Sequence, residues 1–378
     1  MKPHILILSF SDMKRDPRVY RQIQALRHDY QLTAIGMGDP DVEGVRFCPV
    51  EVHPSGNGFE RAYRAGHLLL GNYLPYLQGR YRLKKPLPET MSFDAVIAND
   101  LEPLPLGFTL AQGAPVIFDA HEYYPEEQTV SFFWRLFFRR PSYALCRKVI
   151  PQCAGMVTVC PGIAKAYQET FGLLPEVMFN APFQQVLAAK PVASERIRLI
   201  HHGGANPDRH LEVMLDMMRF TDARFTLDMM LVGQEGYIRS LKERYVGQTN
   251  IIWRDPVPMQ ALAATLNVYD IGLHSIAPTS FNNTYALPNK FFEFIQARLG
   301  IAIGPSPEMA AIAKEHDLGV IADDFTPQAL AAKLNALTPE DIMSFKHNAD
   351  KAAAIYNAEA SMEVLKTMLQ RVLEEGNA

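Results

Sequence analysis

Short apolar runs alternate with helix-period segments along most of the 378-residue chain, and this alternation restricts the fold more than any other feature. Neighbouring parallel strands need a long crossover between them, and a helix is the usual one. The first run is His4-Ile5-Leu6-Ile7-Leu8-Ser9. A helix start follows it: Asp16 can act as N-cap, Pro17 suits the first helical position, and Val19, Ile23 and Leu26 share one face. Further strands are expected at residues 31–35, 95–98, 116–119, 156–159 and 177–179, with a long helical stretch near 59–76. The alternation pauses at Asn180-Ala181-Pro182 and again over 190–194. A second cycle runs through strands at 197–201, 227–232, 251–252, 271–273, 301–303 and 320–321. One or two helices close the chain from about 339 to 375. The expectation is an α/β protein of two similar-sized, doubly wound parallel-sheet domains facing across a cleft.

Composition narrows the class. Apolar residues make up 48% of the chain and charged ones 21%, which is globular composition. A formal net charge of -4 argues against a dedicated nucleic-acid binder. The amino-terminal apolar run is too short for a secretory signal, and no run approaches the eighteen or so residues of a membrane span. A cytoplasmic protein, or one peripheral on a membrane, is therefore expected. The cysteines are Cys48, Cys146, Cys153 and Cys160. No Cys-x-x-Cys pair exists and Pro151 interrupts any helix through the last three, so buried apolar thiols are expected. No metal-ligand spacing occurs among the histidines, and neither a metal nor a cofactor is expected.

In open parallel sheets, ligands sit beyond the carboxyl ends of the strands. After the first strand, the segment from Ser9 to Asp16 has no glycine fingerprint, which counts against a nicotinamide or flavin enzyme, and no P-loop occurs anywhere. The second half is different. His201-His202-Gly203-Gly204 ends its first strand, and Arg209 then stands at an expected helix start. Gly203 and Gly204 allow a ligand close to the backbone, and a guanidinium binds phosphate oxygens in bidentate fashion. Further on, Leu287-Pro288-Asn289-Lys290-Phe291-Phe292-Glu293-Phe294 reads as a second anion-binding helix start. Pro288 would take the first helical position, Lys290 would add a full charge to the positive helix end, and Glu293 could accept from vicinal hydroxyls. The plainer alternatives are a tight turn with Arg209 solvated, and an amphipathic helix that buries Phe291, Phe294 and Ile295.

Several segments, taken in order, resemble one family. They are Asp16-Pro17-Arg18-Val19-Tyr20-Arg21, Phe118-Asp119-Ala120-His121-Glu122, Gly203-Gly204 through Arg209, Leu231-Val232-Gly233-Gln234-Glu235-Gly236, and Leu287-Pro288-Asn289-Lys290 through Glu293. The chain resembles the GT-B glycosyltransferases, and most of all the retaining nucleotide-sugar enzymes of glycosyltransferase family 4. The resemblance implies that Arg209 and Lys290 hold the donor diphosphate over Gly203 and Gly204, with Asn289 beside them. It further implies that Glu293 grips the ribose and that His121 touches the donor sugar. Tyr285 stands where the family often has a glutamate, so Thr284 and Tyr285 would offer neutral groups near that sugar. Residues 253–258 would border the nucleobase. Residues 1–184 would form an acceptor-binding domain and 185–358 a donor-binding domain, with a terminal helix over 359–378 returning to the first.

Such an enzyme would move a sugar from a nucleoside-diphosphate donor to a glycan or lipid-linked acceptor, in cell-surface polysaccharide assembly. Retention needs no dedicated carboxylate base; inversion would, with Asp16 or Asp100 as first candidates. Asp16 also reads as an N-cap, Asp100 as a strand end, and His121 as a turn residue. The stretch 132–140 mixes aromatics with arginines, and read as one helix it places Arg135 and Arg139 on a shared face. With the basic run 80–85 it could dock an anionic membrane, although a core helix plus a solvated loop is the favoured reading. Two rival functions remain: a nucleotide-sugar epimerase of the same architecture, and a non-catalytic protein that binds a nucleotide sugar or a partner glycosyltransferase.

Overall fold

The computed structural model describes residues 2–53, 57–88 and 90–376. Residues 377–378, the end of the expected terminal helix, lie outside that set. The chain divides into two compact units: residues 1–179, 280–282 and 361–378 form the first, and residues 180–279 and 283–360 the second.

The first unit is built on strands β1 (His4–Ser9), β2 (Gln31–Gly36), β3 (Val45–Val52), β4 (Tyr81–Leu83), β5 (Ala95–Asn99), β6 (Val116–Ala120), β7 (Gly155–Thr158) and β8 (Glu176–Val177). Their order in the sheet is β4-β3-β2-β1-β5-β6-β7-β8, and every pairing is parallel except β3 with β4. β3 and β4 are additions to the sequence reading. β4 is the edge strand and β3 lies next to it, and β3 buries only Val50, so neither carries the continuous apolar run of a central strand. The expected helix near 59–76 is two helices, Gly58–Leu69 and Leu74–Arg80. Gly71 separates them at φ +81°, a left-handed conformation that ends a helix.

The second unit contains β9 (Ile197–Ala205), β10 (Phe225–Gly233), β11 (Ile251–Arg254), β12 (Ile271–His274), β13 (Gly300–Ile303) and β14 (Gly319–Ile321). Their order is β11-β10-β9-β12-β13-β14, all parallel. This is the Rossmann order 3-2-1-4-5-6, and β3-β2-β1-β5-β6-β7 repeats it in the first unit. The strand order reverses between β1 and β5, and again between β9 and β12. Ligands of such sheets settle at those two switch points.

Each unit has its own core. In the second, Leu199, Phe225, Leu227, Ile271 and Leu273 meet Met214, Met217 and Leu330 from the flanking helices. In the first, Ile5, Ile7, Ile97 and Val157 pack against the terminal helix Ala358–Gly376 through Leu365, Met368 and Leu369. Gly155 matters to that contact, because a Cβ there would stand 2.5 Å from the Met368 sulfur. The four thiols are free, with Cys146 and Cys160 buried.

Candidate functional site

Two clusters of functional side chains form, one at the switch point of each sheet. In the second unit β9 runs through both glycines to Ala205, four residues further than expected from the sequence. Gly203 takes φ +104°, and a Cβ on it would lie 3.5 Å from Cε and Nζ of Lys290. A Cβ on Gly204 would lie 3.6 Å from Nη1 of Arg209. The two cationic side chains therefore lie over the two glycines. Arg209 ends a single 3-10 turn, Pro207–Arg209, instead of opening a helix, and its Nη1 donates to the Gly204 carbonyl at 3.4 Å. Lys290 comes from the opposite strand of the switch point, in the first turn of the helix Asn289–Gln296 that follows β12.

Pro288 is the N-cap of that helix, not its first residue, and no side chain caps the end. The Phe291 N–H donates to the Pro288 carbonyl at 3.0 Å, and the positive end of the helix dipole lies at this turn beside Lys290. The charge on Lys290 is not the full one expected. Burial, with Arg209 close by, lowers its amine to about 7, and Glu293 offsets only part of this. Its Nζ lies 3.5 Å from His201 Nε2, while His201 Nδ1 donates to the Leu273 carbonyl at 2.9 Å. That bond leaves the Nε2 lone pair turned toward the lysine.

His202 Nε2 stands 3.4 Å from a carboxylate oxygen of Glu293, which lies at the rim of this cluster. Burial and Lys290 push the His202 imidazole down to about 3. His274, at the carboxyl end of β12, is 3% exposed, and neither ring nitrogen has a hydrogen-bond partner. Its ring stacks on His201 with centroids 5.8 Å apart. Burial, Lys290 and Arg209 keep it neutral. Arg209, the partly charged Lys290, three neutral imidazoles and the positive end of the Lys290 helix make a place for an anion. His274 was not singled out by sequence reasoning; its one signal is that it directly follows an apolar strand of the second cycle. Thr284, Tyr285 and Asn289 are half-buried on the segment leading into and starting the Lys290 helix. Of the residues expected near the nucleobase, Arg254 is engaged with Asp228 at 2.6 Å.

The first unit gathers the other expected residues. Asp16 caps the helix Pro17–Leu26 by accepting from the N–H groups of Arg18 and Val19. The buried Arg18 guanidinium forks onto Asp100, at 2.7 Å and 2.9 Å, and reaches Asp16 at 3.2 Å. Tyr124 also donates its hydroxyl to Asp100. Burial opposes charge on Asp16 and Asp100, yet Arg18, helped by the Ser11 hydroxyl at Asp16 and by His121 and Tyr124 at Asp100, holds both below the ordinary carboxylate range. Asp100 adopts φ +78°, turning out of β5 toward this arginine. His121 follows β6, with Nε2 3.3 Å from the fully buried Asp119. Gln22 holds the other Asp119 oxygen at 2.5 Å. Glu127 belongs to the same region: burial, then Glu122 and Glu102, raise its carboxyl to about 8. Arg18 and Glu127 are further residues that sequence reasoning did not assign a role.

The segment 132–140 is not one helix. It breaks at Phe138 into Phe132–Phe137 and Arg139–Val149, so Arg135 and Arg139 share no helical face. Arg139 pairs with Glu126 at 2.5 Å. The first helix is not a core helix either: it buries Trp134 but leaves Phe132 72%, Phe133 61% and Leu136 53% exposed. Among the described residues no helix is long and apolar enough to cross a membrane, and no group of side chains could hold a metal ion.

Two parallel-sheet Rossmann-like domains define the GT-B fold, and solved structures of that fold match this chain along its length. Sucrose-phosphate synthase from Thermosynechococcus elongatus is similar with a TM-score of 0.73 at 11% identity, covering 99% of this chain and 100% of that one. HepE from Anabaena, in complex with UDP-glucose, is similar with a TM-score of 0.66 at 12% identity, covering 99% of each chain. WaaG, a glycosyltransferase involved in lipopolysaccharide biosynthesis, is similar with a TM-score of 0.63 at 12% identity, covering 96% of this chain and 99% of that one. No protein-family model and no curated protein sequence matches. At such identities the likeness establishes the fold.

Proposed function

We propose that the protein is a glycosyltransferase that moves a sugar from a nucleoside-diphosphate donor to a glycan or glycolipid acceptor. The observation that carries this reading is the convergence of Arg209 and Lys290 over Gly203 and Gly204 at the switch point of the second sheet. A donor diphosphate fits there, with the ribose hydroxyls beside Glu293. HepE, similar in fold, holds UDP-glucose, so UDP sugars are the first donors to test. As the glycosyl–phosphate bond breaks, negative charge grows on the departing diphosphate. Arg209, Lys290 and the helix-end N–H groups would stabilise that charge without a metal.

Retention of configuration is the stereochemistry we favour. Asp16 and Asp100, the carboxylates that an inverting reaction would use as base, are both tied to Arg18 and held in their charged, weakly basic form. In a retaining reaction the acceptor hydroxyl attacks from the leaving-group side. Its oxygen forms the new bond to the sugar carbon, and its proton passes to the diphosphate. His121 would contact the donor sugar, with Asn289, Thr284 and Tyr285 alongside the donor. A role in cell-surface polysaccharide assembly, in the cytoplasm and peripheral to the membrane, completes the proposal. The exposed Phe132, Phe133 and Leu136 beside Arg135 suit an anionic bilayer surface, and salt-sensitive cosedimentation with anionic vesicles tests that contact.

A thermal-shift panel of UDP, GDP, ADP, CMP and dTDP sugars tests the donor. A ligand at about a hundred times its dissociation constant stabilises by roughly 2.7 kcal/mol, a readable shift. No shift with any of them removes the reading. Release of an altered sugar without acceptor would identify an epimerase instead, and binding without turnover a non-catalytic protein.

A further inference from the structure

The first unit holds a cavity of about 450 Å³ that none of the residues discussed as donor ligands lines. Its size falls within the range of small-molecule sites. Phe10, just after β1, and Glu102, just after β5, place it at the switch point of the first sheet. At its polar end Glu102 is pinned by two phenols: Tyr73 donates to Oε1 at 3.2 Å and Tyr81 to Oε2 at 2.6 Å. Each carboxylate oxygen keeps a second lone pair for a further donor. Burial, reinforced by Glu102, raises both tyrosines, so the phenols stay protonated and keep donating. Phe10 stacks on the Tyr81 ring with centroids 4.1 Å apart, which stiffens an aromatic wall beside the carboxylate.

The rest of the lining decides the ligand class. Leu77, Leu145 and Val149 are buried in the floor, and Leu106 and Phe108 extend the apolar wall. Glu102 and Lys148 are the charged residues of the lining, one of each sign, so the cavity has no net charge to attract an ion. Asn72, Gln78 and Thr109 add neutral donors and acceptors. A carboxylate ready to accept hydroxyls beside aromatic rings suits a neutral sugar, and the apolar wall suits an uncharged aglycone.

The geometry points to a binding site for a sugar residue that carries an apolar aglycone, with the sugar hydroxyls on Glu102 and the aglycone along Leu106, Phe108 and Leu145. As an acceptor site this rests on the glycosyltransferase reading, but the binding itself needs no donor.

The test is calorimetric titration of n-octyl β-D-glucopyranoside below its micelle concentration, with no nucleotide present. The glycoside is expected to bind about tenfold more tightly than glucose or n-octanol alone. Glu102→Gln should weaken it by about tenfold, as expected for loss of a charged acceptor. Leu106→Trp, which fills the apolar wall, should abolish it, and supplies a second readout if Glu102→Gln melts early. Undiminished binding in both variants overturns the proposal. So does tighter binding of n-octyltrimethylammonium, which would make the cavity a cation site. The nucleotide panel on the wild-type protein is scored separately. Glycoside binding without any nucleotide shift would remove the transferase reading and leave the cavity assignment standing; the reverse result would do the opposite.

Discussion

Lys290 shows how far a side chain's chemistry depends on what surrounds it. In sequence it is a lysine at a helix start; in the structure it is buried against Arg209 and His201, and its amine sits at about 7. Below that pH it is charged before a donor arrives. Above it, the amine is neutral and, in the proposed function, would have to take up a proton to pair with the diphosphate. Donor affinity is therefore expected to fall as pH rises above 7, by up to about tenfold per unit. Calorimetry at pH 8 in buffers of different ionisation enthalpy should detect the proton uptake. Lys290→Arg, charged at any working pH, should abolish that uptake; uptake that persists would place the titrating group elsewhere. Arg209→Ala is expected to reduce turnover by about 10²–10³, the usual contribution of one preorganised donor. Ordinary turnover with unchanged donor affinity would take Arg209 out of the site.

At the scale of elements, close approaches position the Lys290 helix. Gly272 of β12 lies against Phe294, and a Cβ there would stand 2.2 Å from the ring. Phe294 cannot yield easily, because it is fully buried. Gly272→Ala is expected to destabilise the protein by about 1–3 kcal/mol, read as a lowered urea midpoint. An unchanged midpoint would mean that the helix shifts freely, which its role in holding Lys290 does not allow. The helix Pro339–Ala353 packs beneath, and its Lys346 donates to the Tyr269 carbonyl at 2.8 Å and pairs with the buried Asp270 at 3.5 Å. Its start is a complete capping box between Thr338 and Asp341. Thr338→Ala should cost about 1 kcal/mol, with no change in nucleotide binding because the box is distant in sequence and exposed. Elements such as this were plain in the sequence: Thr-Pro followed by acidic residues announces a helix. The break at Phe138 is set by Pro141 in the first turn of the second helix, which cannot donate to the Phe137 carbonyl and so ends the first helix; it lies just beyond the 132–140 stretch, which read as one helix.

At the scale of the whole molecule, the buried imidazoles couple stability to acid. His201, His202 and His274 are held neutral in the folded second unit, all with lowered affinity for protons. Unfolding releases them to the ordinary value near 6.5, so below about that pH the unfolded chain binds more protons than the native one. Stability from these groups is complete above pH 6.5 and is lost as pH falls toward the folded value, which is about 3 for His202. Each contributes a slope of up to about 1.4 kcal/mol per pH unit. Urea midpoints between pH 7 and 4.5 should fall less steeply in His202→Gln than in the wild type; parallel curves would show that the imidazole is not the source.

The periodicity of the chain by itself determined two parallel sheets and most of their strands, because buried parallel strands and amphipathic crossovers leave strong local signals. Residue placement also marked Gly203, Gly204, Arg209 and Lys290 as a candidate anion site, since glycine and cationic residues at strand ends are legible without coordinates. Tertiary structure decided what local pattern cannot carry. β3 and the edge strand β4 lack a buried run, the lowered proton affinity of Lys290 comes from its burial and from Arg209, 81 positions away, and the carboxylates of Asp16 and Asp100 are claimed by Arg18. The cavity around Glu102 is likewise a product of packing, assembled from helices and strands that no single stretch of sequence brings together.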